Sequence, residues 1–150
     1  MTLTISPAQV ADADDLLTMI AGLAAFHDDI SLADRRVLDR DVFCDPPWLH
    51  VLIARLDRQA AGYVALTPVA QLQFGLRGME IHHLFTTDTA RGTGVGSALM
   101  DAALSHARGL GAAYLSVGTH VGNAAAQTFY ARRGFEPRPA PGPRFRKRLS

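Results

Sequence analysis

The segment Arg91-Gly92-Thr93-Gly94-Val95-Gly96 constrains the fold more than any other part of this chain. It follows a run, residues 79–87, that reads as a strand. It opens a stretch, residues 96–110, that reads as a helix with Val95, Leu99, Ala102, Ala103 and Leu110 on its inner face. A helix entrance leaves the N–H groups of its first turn without intrahelical acceptors and carries a partial positive charge. Glycines let an anion approach those groups without a Cβ in the way. The unit therefore predicts an anion cradle, with Arg91 adding a fixed positive charge. Charge-assisted hydrogen bonds of about 1.5 to 3 kcal/mol each would together hold a diphosphate. A glycine-rich turn with no ligand is the plain alternative.

Two common diphosphate motifs fit badly. The P-loop requires a Gly-Lys-Ser/Thr ending, and no lysine stands here. The dinucleotide fingerprint needs G-x-G-x-x-G after the first strand, whereas these glycines fall at 92, 94 and 96, late in the chain.

The rest of the chain fits around this unit. Residues 3–5 read as a strand and 7–26 as a helix, with Val10, Leu16, Leu17, Ile20 and Leu23 at helical spacing. A short helix is expected within 31–42, stopped by Asp45-Pro46-Pro47 because proline cannot continue a helix. Residues 49–56 and 61–67 read as a hairpin turning at 57–59, and 68–78 as a loop or short strand. Residues 113–117 form a further strand. Asn123 caps a helix running to Arg133, with Gly134 as its left-handed exit. A closing strand is expected over 145–149, after the Pro-rich residues 137–143. This order implies one α/β domain over residues 1–150, with a mixed, mostly antiparallel central sheet and helices on both faces.

Composition narrows the function classes. One cysteine, Cys44, permits no internal disulfide and no multi-cysteine metal site, and it reads as a bystander thiol. No run of about 18 apolar residues occurs, and residues 1–10 lack the pattern of a secretory signal, so a soluble, cytoplasmic protein without membrane association is expected. The net charge of +1 hides an asymmetry: the first 45 residues carry nine aspartates against three arginines, and the remainder twelve basic residues against five acidic. An acidic first third would attract a cationic substrate and a basic remainder an anionic cofactor, although solvated charged faces would give the same count. Basic residues without interleaved aromatics argue against nucleic acid.

The glycine segment resembles the R/Q-x-x-G-x-G/A acyl-CoA motif of the GCN5-related N-acetyltransferase (GNAT) superfamily. Ahead of it, Ile81-His82-His83-Leu84-Phe85-Thr86 is similar to that family's fourth strand. Beyond it, the stretch from Asn123 through Ala126, Phe129 and Tyr130 to Gly134-Phe135 resembles the N-x-x-A-x-x-F-Y-x-x-x-G-F block. Residues 32–66 are more weakly similar to the diamine (polyamine) acetyltransferase branch.

The resemblance implies acetyl-CoA as cosubstrate, no metal, and transfer of acetyl to a primary amine of a small molecule such as a polyamine or amino acid. The backbone of Leu84, Phe85 and Thr86 would pair with the pantetheine arm. Arg91, Gly92, Thr93, Gly94, Val95, Gly96 and Ser97 would surround the diphosphate. Asn123, Ala126, Phe129, Tyr130 and Arg132 would complete the cofactor site, with Tyr130 also the proton donor to the departing thiolate. An amine of pKa about 10.4 costs roughly 4 to 5 kcal/mol to deprotonate at pH 7, so a base is useful. His82 occupies the position of an acidic base in some relatives, Glu80 is the second candidate, and His83 lies beside them. Strand alternation puts Glu80 and His82 on one face and His83 on the other. Each of the three also reads as a residue merely hydrogen-bonded beside the sheet. Trp48, Phe43, His27 and Phe74 are candidate lining residues, or core. The alternatives are a protein or peptide N-acetyltransferase and a non-catalytic acyl-CoA sensor. Relatives of this size imply a homodimer.

Overall fold

The computed structural model describes residues 1–139 and 141–150, so Ala140 of the Pro-rich stretch lies outside the described residues. Met1–Val117 and Gly118–Ser150 form two compact units.

The first unit is built on a five-stranded sheet in the order of the sequence: β1 (Leu3–Pro7), β2 (His50–Leu56), β3 (Gln59–Gln71), β4 (Leu76–Thr86) and β5 (Tyr114–Val117). The first four strands pair antiparallel and β5 joins β4 in parallel. A parallel neighbour needs a crossover, which α3 (Val95–Gly109) supplies. Between β2 and β3 a two-residue turn places Asp57 at φ 48° and Arg58 at φ 74°, the left-handed pair that matches strand twist in a tight hairpin. Asp57 also accepts the Thr2 N–H at 2.8 Å, tying the turn to the start of β1.

Alternation along β2 and β3 buries both faces of the sheet. Val51, Ile53, Tyr63 and Ala65 join Leu16 and Met19 of α1 (Ala13–Phe26) and Leu38 of α2 (Arg35–Asp41) in one core. Leu52, Ala54, Val64 and Leu66 alternate with them, and α3 packs against β2, β3 and β4. Helices therefore cover both faces, as the sequence predicts. Each large apolar side chain so buried, such as Leu16, Ile53 or Leu66, contributes about 1.5 to 3 kcal/mol before the entropy of ordering it.

Helix α2 starts where a side chain can accept an N–H group. Asp34 takes the Val37 N–H at 3.0 Å and begins α2, four residues inside the expected start of that helix. α1 begins at Ala13, preceded by a 3₁₀ turn, Val10–Asp12. Pro7 is not helical: it ends β1, opposite Leu52. Arg55 of β2 clamps the entry of α1 through Asp12 at 2.6 Å and Asp15 at 2.9 Å.

Three further expectations are corrected. Residues 68–78 are neither loop nor short strand. β3 runs on to Gln71, a 3₁₀ turn Leu72–Phe74 follows, and β4 starts at Leu76, which makes one long hairpin. The inner face of α3 is Val95, Leu99, Met100, Ala103 and Ala107, while Leu110 lies past the helix end and is 40% exposed. The strand expected over 145–149 does not form: Phe145 and Leu149 are 95% and 94% exposed. Four prolines between 137 and 143 fix φ and remove donors, and Arg144, Arg146, Lys147 and Arg148 leave too little apolar surface to hold an edge strand.

The second unit carries α4 (Ala124–Arg132), capped by Asn123, whose Oδ1 accepts the Ala126 N–H at 3.1 Å. Gly134 follows at φ 89°, as a left-handed helix exit demands. No described helix is long and apolar enough to cross a membrane.

Candidate active site

Two features of the first unit create an opening beside β4. The β4–β5 ladder ends at Ile81↔Val117. Past that point β4 continues through Leu84, Phe85 and Thr86, which pair on their other side with Val64, Tyr63 and Gly62 of β3. Among the described residues, no strand pairs with the free edge of this part of β4. A strand edge of this kind offers N–H and C=O groups to an extended, amide-containing chain.

At the end of that edge stands the glycine-rich entrance. Thr87 leads into a 3₁₀ turn, Asp88–Ala90, and the chain reaches α3 through Gly92 at φ 77° and Gly94 at φ 88°. Both conformations suit glycine. At either position an added Cβ would meet nothing within 4 Å, so the surface there is open. Gly94 is the N-cap of α3 and gives no side-chain cap, in contrast to Asp34 at α2 and Asn123 at α4. The first intrahelical bond from this end runs from Ala98 N–H to Gly94 O at 3.0 Å, which directs the preceding amides out of the helix. Thr93 instead folds back, its hydroxyl bonding Ala90 O. Arg91 is half-exposed, 3.2 Å from Asp88, with its guanidinium 5.9 Å from the centre of the Phe26 ring. An uncapped, open, positively polarised helix end beside a free strand edge fits a diphosphate followed by an amide-bearing arm.

The candidate bases lie further back on β4, and here the structure departs from simple alternation. His83 pairs with Ala65 and Ile81 with Leu66, so His82 is an extra residue in the strand, a β-bulge. The rings of His82 and His83 stack at 4.2 Å with 14° between planes. Glu80 lies opposite Thr67, one residue beyond the buried Ile81–Leu66 pair, and so shares the face of His83. The expected separation of Glu80 and His82 from His83 is thus corrected: the bulge inserts one position and brings all three to one face. His82 and Glu80 are exposed, whereas His83 is half-buried and accepts or donates at Nδ1 to the Tyr63 hydroxyl, 2.9 Å away. Burial, then the neighbouring His82 and His27, pushes the His83 imidazole down to about 4. Burial pushes the Tyr63 phenol up, so at neutral pH it keeps a proton that it can donate to His83 Nδ1. Tyr63 stands in the strand run 61–67 with no motif to mark it; its bond to His83 follows from the β3–β4 register, in which Tyr63 lies opposite Phe85 and His83 opposite Ala65, on one face.

Within the second unit, Tyr130 is half-buried against Phe129 and Phe135, with ring centres at 5.5 and 5.6 Å. Burial raises its phenol, which keeps the proton available at neutral pH. Arg132 is exposed in the last turn of α4.

The remaining candidates are spread out. Phe43 packs against the α1–α2 core, Trp48 is 77% exposed, and Phe74 sits at the tip of the β3–β4 hairpin. Of the nine early aspartates, Asp12, Asp15, Asp34, Asp39 and Asp41 are engaged in ion pairs or a helix cap, so much of the acidic balance serves structure. A cleft of about 490 Å³ lined by His50, Arg77, Met79 and Leu110 lies at the opposite end of α3 from the glycines.

A sheet that opens between two parallel strands beside a glycine-rich helix entrance defines a transferase class that works on an acyl thioester carried by a diphosphate-bearing arm. The sequence model of the acetyltransferase (GNAT) family matches residues 20–135, and the chain belongs to that family, as an acetyl-CoA-dependent N-acetyltransferase. Solved structures share the fold at low identity. An integron cassette protein from V. cholerae matches at 20% identity and TM-score 0.80, over 98% of this chain and 94% of its own. An aminoglycoside acetyltransferase from an uncultured soil metagenomic sample, in complex with trehalose, matches at 18% and 0.77, over 99% and 97%. A ribosomal-protein-alanine N-acetyltransferase from Brucella melitensis biovar Abortus matches at 20% and 0.68, over 96% and 100%. No curated protein matches the sequence.

Proposed function

We propose that this enzyme, as a single catalytic domain over residues 1–150, acetylates a primary amine of a small molecule by direct attack in a ternary complex. The observation that carries the reading is the free edge of β4 at Leu84, Phe85 and Thr86, running toward the uncapped entrance at Gly94. Acetyl-CoA, when bound, supplies an activated acetyl thioester. Leu84 to Thr86 would hold its arm by main-chain hydrogen bonds. Arg91, Gly92, Thr93, Gly94, Val95, Gly96 and Ser97 would hold its diphosphate. Asn123, Ala126, Phe129 and Arg132 are assigned to the remainder of the cofactor from the family resemblance.

His82, exposed on the bulge, accepts the proton of the attacking amine, with Glu80 as the second candidate on the same face. Tyr130 keeps its phenolic proton at neutral pH and donates it to the leaving sulfur. A polyvalent amine is favoured as acceptor because an aminoglycoside acetyltransferase shares the fold over nearly the whole chain, and a polyamine is the narrower candidate. The second reading, acetylation of a protein N-terminus, is favoured by the likeness to a ribosomal-protein-alanine N-acetyltransferase. The enzyme is proposed to act in the cytoplasm as a homodimer.

Thiol release from acetyl-CoA, followed with polyamines, aminoglycosides, amino acids and N-terminal peptides, tests the reading. Turnover with small amines and none with peptides is expected. Turnover with peptides alone would replace the first reading by the second, and no affinity for acetyl-CoA would remove both.

A further inference from the structure

The β4 histidines are held from below by a residue that the proposed chemistry does not use. Tyr63 of β3 is 1% exposed, and its ring sits among Leu16, Met19 and Ile53 of the α1 core, 6.0 Å from Phe85. Its hydroxyl emerges from that core 2.9 Å from His83 Nδ1, and the face of the His83 ring carries His82 at 4.2 Å. A tyrosine at an apolar core position gains no packing from its oxygen. A phenylalanine would fill the same space without a polar group that must find a partner. The oxygen therefore has a role in what it bonds.

We propose that Tyr63 is a positioning residue: its hydroxyl fixes the His83 ring and its Nε2–H tautomer, and the fixed ring is the platform that orients His82 toward the acceptor amine. This rests on the reading of His82 as the group that takes the amine proton.

Donation from Tyr63 to Nδ1 leaves the His83 proton on Nε2, because a neutral imidazole carries only one. The titratable groups facing His83 are Tyr63 from β3, His82 from β4 and His27 at the end of α1. Burial keeps His83 neutral, so the stacked pair holds no second charge that would oppose a proton arriving on His82. The bulge makes the arrangement possible, since His82 and His83 would otherwise point to opposite faces.

The test is Tyr63→Phe, which retains the ring and the core packing, combined with His82→Ala in a double-mutant cycle. In Tyr63→Phe, kcat is expected to fall about tenfold, the scale of one lost hydrogen bond, with the KM for acetyl-CoA unchanged. Added to His82→Ala, the same substitution is expected to cost nothing further, because the group it positions is gone. Nitrogen-15 spectra of the histidines, recorded without substrate, should show His83 as a single Nε2–H tautomer in the wild type and as a mixture in Tyr63→Phe. A tautomer unaffected by the substitution, or a loss of kcat additive with His82→Ala, overturns the proposal. Failure of the underlying reading is distinguishable, since His82→Ala alone would then keep wild-type turnover.

Discussion

Gly94→Ala separates the cost of backbone strain from the cost of blocking the cradle. Gly94 stands at φ 88° and ψ 4°, a left-handed conformation, and an added Cβ would touch nothing within 4 Å. The substitution therefore introduces strain without a clash, about 1 to 2 kcal/mol, or roughly 3 to 6 °C in melting temperature for a chain of this size. If the outward amides bind a diphosphate, the methyl group also stands in its path. Losing one charge-assisted contact of about 1.5 to 3 kcal/mol weakens acetyl-CoA about 10- to 150-fold. Gly75 provides an internal control: it lies at φ 66° with nothing within 4 Å of its virtual Cβ, at the tip of the β3–β4 hairpin. Gly75→Ala should match Gly94→Ala in thermal melting and bind acetyl-CoA like the wild type in calorimetry. Equal melting losses with equal, undiminished affinities would refute the assignment of the Gly94 entrance to the cofactor.

Tyr130→Phe should lower kcat at least tenfold, the scale of general-acid catalysis being about 10² or more, while acetyl-CoA binding measured by calorimetry stays intact. Asn123→Ala removes the side-chain acceptor of the Ala126 N–H and should cost about 1 kcal/mol in urea denaturation. Gly78→Ala would drive a methyl group into the Tyr114 ring on the adjoining β5 strand, so poor yield of folded protein is expected, with recovery in Gly78→Ala/Tyr114→Ala. Because the folded protein holds His83 at about 4 against 6.5 when unfolded, the unfolded chain binds more protons between those values. Stability should therefore fall as pH drops from about 6.5 toward 4, by something on the order of 2 kcal/mol, and the fall should shrink in His83→Asn when thermal melts are compared across that range.

The parts of this site that the sequence reveals are those set by short-range rules. Gly92 and Gly94 adopt positive φ between a strand and a helix, and Asn123 and Gly134 bound α4, because turns and caps are decided within a few residues. The hairpin over 68–78 escapes a reading by alternation because Pro68, Ala70 and Gln71 through Arg77 are exposed, leaving no buried face to impose a period of two. Helix α3 turns Met100 and Ala107 inward rather than Ala102 and Leu110, since the stripe follows the sheet beneath the helix and not the richest apolar spacing. The closing strand fails for a related reason: Phe145 and Leu149 satisfy a pattern, but nothing in their own segment supplies the area to bury.

The bulge at His82 is the feature that sequence reasoning could least supply and on which the site most depends. An extra residue in a strand leaves no mark in a list of residue types, because it exists only as a mismatch with the partner strand. Here that mismatch falls between Ala65 and Leu66 of β3, one residue past Ile81, where the β4–β5 ladder stops. A bulge bends and twists the strand that carries it, and this one falls directly after the last β4–β5 pair, Ile81↔Val117. The same insertion shifts the parity of everything before it, which puts Glu80, His82 and His83 on one face. One residue thus gathers Glu80, His82 and His83 on one face of β4 beside the end of the β4–β5 ladder. Deleting position 82 should leave His83↔Ala65 and Ile81↔Leu66 as consecutive pairs of a regular ladder, so Ile81 stays buried and thermal stability holds while the candidate base is lost; a variant that fails to fold would refute the reading of residue 82 as the inserted one.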